Sequence, residues 1–429
     1  MKILIKDGRV IDPANNIDKI ADILISDGII EKVSENITAN DAEVINAKGK
    51  IVAPGLVDMH CHLREPGFEY KETIETGTQS AAMGGITSVA CMPNTNPVTD
   101  NAAVVGFILA QAQKAGNVNV YPIGAISKGL KGQELSEMGE LKKAGAVAVS
   151  DDGKPVQSAV LMRHAMEYAA MFDLPVISHC EEMSLVDDGY MNEGNMSTYL
   201  GLRGITRAAE EVMVSREIIL AQTTNTPVHI AHVSTKGSVE LVRHAKAQGV
   251  RVTCETCPHY FTLTDKAVDG FNTNAKMNPP LREQEDVDAV IAGIADGTID
   301  AIATDHAPHH VDEKNCEFGY AANGIVGFET LLPLTVTYLV KTGKISINEA
   351  IKKMSVNPSG ILKINKGTIK AGDAADIVIF DTENQYTIDV DKFVSKSKNS
   401  PYNGFEVYGK VEYTIVNGKI IVKQGRMSK

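Results

Sequence analysis

Lys50-Ile51-Val52-Ala53-Pro54-Gly55-Leu56-Val57-Asp58-Met59-His60-Cys61-His62-Leu63-Arg64 runs from an apolar, β-leaning stretch straight into two imidazoles. Alternate side chains of a strand share a face, so Asp58, His60 and His62 are expected to point one way and Met59 and Cys61 the other. Two histidines on one face, where a strand runs out, sit as metal ligands do. The rest of the chain decides whether other strand ends bring partners to them.

Apolar, β-rich runs recur at 51–58, 86–91, 118–123, 146–150, 175–178, 227–231, 251–254 and 299–303. Between them, 73–83, 157–171, 206–223 and 283–295 show apolar residues returning at three- and four-residue steps, the pattern of helices packed on a sheet. Gly84-Gly85, Gly145 and Gly249 fall just past helical runs, where a left-handed terminal residue costs glycine least. Strands alternating with helices in this number predict an α/β fold, a (β/α)8 TIM-like barrel spanning 51–365.

The ends do not follow that alternation. Residues 1–50 and 366–429 hold short β-like pieces punctuated by turn residues, with Asn417-Gly418 and Asp27-Gly28 as hairpin signals. A small β-domain built from both termini is expected, 1–50 and 366–429 each supplying a part.

Size and charge narrow the function. A chain of 429 residues can bury a large core, and a net charge of −12 opposes binding to nucleic acid or to an anionic membrane surface. Met1-Lys2-Ile3-Leu4-Ile5 is too short an apolar stretch for a secretory signal, and no window is long enough to span a bilayer, so a cytoplasmic protein is expected. The cysteines at 61, 91, 180, 254, 257 and 316 show no disulfide spacing and read as reduced thiols; Cys254-Glu255-Thr256-Cys257 lacks the second pair of a zinc knuckle.

In such a barrel the chemistry lies at the C-terminal ends of the strands. There the sequence offers His60 and His62, then Asp151-Asp152-Gly153, His179-Cys180-Glu181, His232, and Asp305. These donors exceed what one catalytic zinc uses, so two cations are expected, with Asp151 or Asp152 as the bridge because a carboxylate has two oxygens to share. Nitrogen and oxygen donors without thiolate make Zn2+ the first choice, with Mn2+ or Co2+ able to take the same place. His229 reads as a packed or hydrogen-bonded residue, His164 and His244 as helix-surface residues, and His259 and His306 as groups that could orient ligands.

Asp58-Met59-His60-Cys61-His62-Leu63-Arg64-Glu65-Pro66-Gly67, Met92-Pro93-Asn94-Thr95, Ser150-Asp151-Asp152-Gly153 and Ala303-Thr304-Asp305-His306-Ala307-Pro308-His309 resemble the dihydroorotases of the bacterial long type, within the amidohydrolase superfamily. The resemblance covers nearly the whole chain. It implies reversible closure of N-carbamoyl-L-aspartate to L-dihydroorotate in pyrimidine synthesis. It further implies one ion on His60, His62 and Asp305, the other on His179 and His232, Asp152 between them, and Asp305 as general acid and base. Arg64, Asn94, Asn278 and His309 match the positions that grip the substrate's carboxylate and ring. A homo-oligomer, expected as a dimer, and association with aspartate transcarbamoylase complete the picture.

Two features depart from the wider superfamily. Many relatives bridge with a carboxylated lysine, and Lys154 is the only nearby one; Asn323 stands where relatives carry an aromatic residue. The rivals are a hydantoinase or allantoinase, which has less need of Arg64 and Asn94, and an inactive scaffold, which should have lost ligands. The polar stretch 310–324 is expected to fold over bound substrate.

Overall fold

The computed structural model describes residues 2–428. Its centre is a parallel sheet of β1 (Leu56–Cys61), β2 (Ile86–Cys91), β3 (Asn119–Gly124), β4 (Ala148–Ser150), β5 (Val176–Ser178), β6 (Val228–Ile230), β7 (Val252–Thr256) and β8 (Ala301–Ile302), each beside the next. The ring is drawn together between β8 and β1: His62 N–H donates to the His306 carbonyl at 2.8 Å, and Asp58 accepts from Thr304 N–H at 2.9 Å. This is the expected barrel.

Helices Ile74–Met83, Ala159–Ala170, Ala208–Thr224 and Gln284–Asp296 lie within two residues of the expected bounds. Thr73 caps the first through Thr76 N–H at 3.1 Å, and Gly297 at φ 85° ends the last.

The run expected at 51–58 is split. Ile51–Pro54 pairs in parallel with Lys2–Asp12 and antiparallel with Ile377–Asp381, and only Leu56–Cys61 enters the barrel. Gly55 makes the crossing possible, because a Cβ there would lie 2.1 Å from Thr87 Oγ1 on β2. The strand parity also breaks. Asp58 pairs with Val89 but Cys61 with Cys91, so β1 carries one residue more than β2 over that step. Cys61 and Leu63 therefore pack with Ile74 in the helical layer, while Met59, expected beside Cys61, joins Val57, Ala90, Ile123, Ala148 and Ala301 inside the barrel.

Both termini build the second sheet, of nine strands, around Ile3, Ile5, Ile23, Val52, Ile377 and Ile415. Both signalled hairpins form, and their tips meet: a Cβ on Gly418 would lie 2.4 Å from Gly28 Cα. Between Ile377–Asp381 and Lys410–Val416 the chain leaves this sheet. Its short pair Tyr386–Thr387 and Glu406–Val407, with Ile388, Val390 and Tyr402, packs against Cys257, Tyr260, Met277 and Phe318, and this excursion walls one side of the barrel mouth.

Candidate metal centre

At the mouth, His60 and His62 extend from β1, Asp152 follows β4, His179 follows β5, His232 follows β6 and Asp305 follows β8. Two of these leave their strands at positive φ, His232 at 33° and Asp305 at 46°, and Arg64 stands at 63°. Left-handed backbone at residues other than glycine is uncommon and clusters at functional sites.

The Asp152 carboxylate is the hub. Its oxygens lie 3.3 Å from His60 Nε2, 3.5 Å from His62 Nε2, 3.4 Å from His179 Nδ1 and 3.6 Å from His232 Nε2. Asp305 Oδ1 lies 3.0 Å from His62 Nε2 and 3.6 Å from His60 Nε2. His60, Asp152 and His232 form one group that could hold an ion; His60, His62 and Asp305 form another. Asp151 points elsewhere, bonded to Ser127 through its N–H at 3.0 Å and its hydroxyl. Lys154 is exposed, in the turn that follows.

A divalent cation fits these residues. His60 Nε2 and Asp152 Oδ1 are buried without a hydrogen-bond partner, although each faces the other donors. Burial alone would lower His60 and His179, yet Asp152 and its neighbouring carboxylates outweigh it, lifting His60 well above its ordinary range and His179 to about 10. Burial would likewise raise Asp152 and Asp305, but the histidines, His60 foremost, hold both well below the usual carboxylate range. A pocket whose field draws protons this strongly draws metal cations by the same attraction.

The outward nitrogens are held too. His60 Nδ1 meets Glu255 Oε1 at 2.6 Å, His62 Nδ1 meets Asn94 Oδ1 at 2.9 Å, and His179 Nε2 meets Glu181 Oε2 at 3.1 Å. In the neutral ring that a cation would bind, each acceptor keeps the proton on the outer nitrogen and leaves the other lone pair turned inward. Asn278 Nδ2 donates to Glu181 Oε2 at 3.0 Å, so both asparagines expected at the substrate also brace the histidines.

Arg64 is not paired with Glu65 or Glu69. Its Nε donates to the Pro308 carbonyl at 3.1 Å, which brings the guanidinium beside His309, while Glu65 accepts from Ile74 N–H at 2.8 Å and Glu69 from Gly67 N–H at 2.8 Å. His309 donates from Nε2 to the Asn323 carbonyl at 2.7 Å and has Lys71 Nζ 3.3 Å from Nδ1; burial first, then Arg64, lowers it to about 2, a neutral ring. The Asn323 contact is through backbone, so the missing aromatic side chain does not disturb it.

His229 is buried and hydrogen-bonded, and His164 and His244 are exposed, as expected. His306 stacks on Phe328 with ring centres 3.8 Å apart and accepts from Gly327 N–H, and His259 packs edge-on against Tyr260. Cys254 and Cys257 are buried free thiols. Two lysines tie the 310–324 stretch to its surroundings: buried Lys314 donates to the carbonyls of Lys276, Ala322 and Gly324, and Lys276 to those of Phe318 and Gly319. Sequence reasoning missed Glu255 because it counted the seventh strand only to 254, though continued alternation from Thr253 would have flagged it.

A protein-family profile described as "Dihydro-orotase-like" matches residues 49–238. "Dihydroorotase" of Acetivibrio thermocellus is 63% identical over 422 residues, covering 98% of this chain and 99% of that protein. "Dihydroorotase" of Ruminiclostridium cellulolyticum is 61% identical over 424 residues, covering 99% of each. Among solved structures, "L-Hydantoinase (Dihydropyrimidinase) from Arthrobacter aurescens" superposes with a TM-score of 0.89 at 26% identity, covering 100% of this chain and 97% of that one.

Proposed function

The chain belongs to the dihydroorotase family, and from that premise we propose that its barrel mouth interconverts N-carbamoyl-L-aspartate and L-dihydroorotate with a pair of divalent cations, Zn2+ first among them. His60, His62 and Asp305 would hold one ion, His179 and His232 the other, and Asp152 both. What carries this reading is one carboxylate within 3.6 Å of four imidazoles drawn from three other strand ends. The fold is shared with hydantoinases, but relatives at 63%, 61% and 56% identity are named dihydroorotases.

Held by these residues, divalent cations would supply a lowered pKa for water and polarisation of the ring carbonyl. Asp305 takes the proton of the attacking water and delivers it to the ring nitrogen as the C–N bond breaks; in synthesis it moves the proton the other way. Ring closure joins the carbamoyl nitrogen to the side-chain carboxyl carbon, releases water and consumes one proton, since two carboxylates become one. Lower pH therefore favours the ring. The Arg64 guanidinium pairs with the remaining carboxylate, a planar match that Lys cannot make. Asn94 Nδ2 and Asn278 Oδ1 offer the ring a donor and an acceptor, and His309, neutral, packs beside Arg64.

Among the described residues no helix is long and apolar enough to cross a membrane. A cytoplasmic setting, a homodimer and association with aspartate transcarbamoylase belong to this proposal, and light scattering of the chain alone and mixed with that enzyme tests the last two. Metal analysis of the purified chain, paired with assays on dihydroorotate, hydantoin and allantoin, tests the activity. Bound divalent metal and turnover of dihydroorotate above the others are expected. A metal-free chain that stays inactive with added zinc would restore the scaffold reading, and faster turnover of hydantoin the hydantoinase reading.

A further inference from the structure

Glu255 lies wholly buried on β7, 0% exposed, among barrel strands whose inward residues are otherwise mostly small and apolar. An ionised carboxylate in such surroundings costs several kcal/mol unless specific partners compensate it. No lysine or arginine pairs with it among the described residues; its partners are histidines. Oε1 lies 2.6 Å from His60 Nδ1, and Oε2 lies 3.4 Å from His229 Nε2. His229, 2% exposed, has its other nitrogen 2.8 Å from Thr253 Oγ1. The result is a row through the barrel interior: His60, Glu255, His229, Thr253.

The row has a direction. An ionised carboxylate only accepts, so His60 donates from Nδ1; His229 Nε2 faces the other oxygen at 3.4 Å as a charge partner without a hydrogen bond, and the Thr253 hydroxyl can donate to His229 Nδ1. A cation that displaces the inner proton would then meet the His60 Nε2 lone pair beside Asp152 and Asp305. At the far end, His229 and Thr253 line a cavity of about 680 Å³ at the opposite face of the barrel, with Pro175, Pro227 and Asn357. Nothing in the reaction requires a carboxylate at position 255, and packing alone would favour an apolar residue there.

We propose that Glu255 is a positioning residue for the metal centre: it sets the tautomer and ring plane of His60, and His229 with Thr253 holds Glu255 in turn. The inference rests on the reading of the mouth as a metal site. His60 is proposed as a ligand of one ion and lies 3.3 Å from Asp152, the carboxylate proposed to hold both, so a loosened His60 weakens the ion it holds. Hydrogen-bonded partners of metal-bound histidines are typically worth about 10–100-fold in metal affinity.

The test is chelator competition for zinc on the purified full-length chain, comparing wild type with Glu255→Gln and with His229→Asn, beside thermal melts of the metal-free proteins. Glu255→Gln should bind zinc about 10–100-fold more weakly, and its metal-free melting temperature should fall as well, because His60 and His229 lose the carboxylate they face. His229→Asn, which leaves Glu255 charged but less well held, should show a smaller loss. A purely structural role would lower the metal-free melting temperature but leave zinc affinity alone, and that outcome overturns the proposal. Should Glu255→Gln fail to fold, His229→Asn and Thr253→Val decide: wild-type zinc affinity in both overturns it equally. Wild type that binds no zinc would sink the metal-site reading itself, which distinguishes the two failures.

Discussion

Asn399 holds the backbone of His309 in place: its Oδ1 accepts the His309 N–H at 3.1 Å, while its Nδ2 donates to the carbonyls of Ala307 and Gly324 at 3.0 Å each. One buried amide from the C-terminal excursion thus ties together the loop after β8 and the end of the 310–324 stretch. Asn399→Ala should destabilise the fold by on the order of 2–3 kcal/mol, since the His309 N–H and the Ala307 carbonyl lose their partner and the Gly324 carbonyl keeps only Lys314. It should raise KM for dihydroorotate more than it lowers kcat. Denaturant melts and steady-state kinetics check both, and an unchanged KM would separate Asn399 from the substrate site.

Asp305→Asn should keep its metal and lose turnover by about two orders of magnitude or more, because an amide can still sit beside the ions but cannot carry the proton. Metal content and kcat are measured on the same preparation. Near-normal kcat would remove Asp305 from the proton-transfer role.

The two neighbouring aspartates should behave differently. Asp152→Asn is expected to lose bound metal, since its carboxylate faces all four imidazoles, whereas Asp151→Asn should keep metal and lose only the anchoring of Ser127. Elemental analysis of both variants decides between them, and metal loss in Asp151→Asn alone would reverse the assignment.

Arg64→Lys should raise KM for dihydroorotate by about tenfold or more, with kcat less affected, because a lysine ammonium cannot match the carboxylate's two oxygens in one plane. Equal KM values would move the carboxylate grip to another residue.

His309 should make the metal-free fold sensitive to acid. Its folded pKa of about 2 lies below the ordinary 6.5, so the folded ring stays neutral while the unfolded chain takes up a proton below pH 6.5. Stability from this residue is therefore full above pH 6.5 and is lost as pH falls toward 2, at up to about 1.4 kcal/mol per pH unit. Urea melts of metal-free wild type and His309→Gln between pH 7 and pH 4 should show a shallower slope in the variant. Parallel slopes would mean that His309 is not held neutral.

Much of this molecule was legible along the chain. Strand and helix periods are local, so the barrel alternation, the hairpins at Asp27-Gly28 and Asn417-Gly418, and the ligand types at the strand ends could be read from neighbours in sequence. The extra residue in β1 could not, because it shows only in register with β2. Nor could the excursion between Ile377–Asp381 and Lys410–Val416, whose apolar residues match a surface built from β7 onward.

By itself, then, the amino-acid order determined a β/α alternation, a second sheet at the ends, and which residue types could gather at the mouth, since these follow from backbone periodicity and side-chain chemistry. Only the tertiary structure decided that Asp152 rather than Asp151 faces the histidines, that Glu255 backs His60, and that Asn399 steadies His309. The reason is directional: a hydrogen bond or a shared ligand position depends on angle and on distances of about 3 Å between groups far apart in sequence, and closure of the barrel alone sets those.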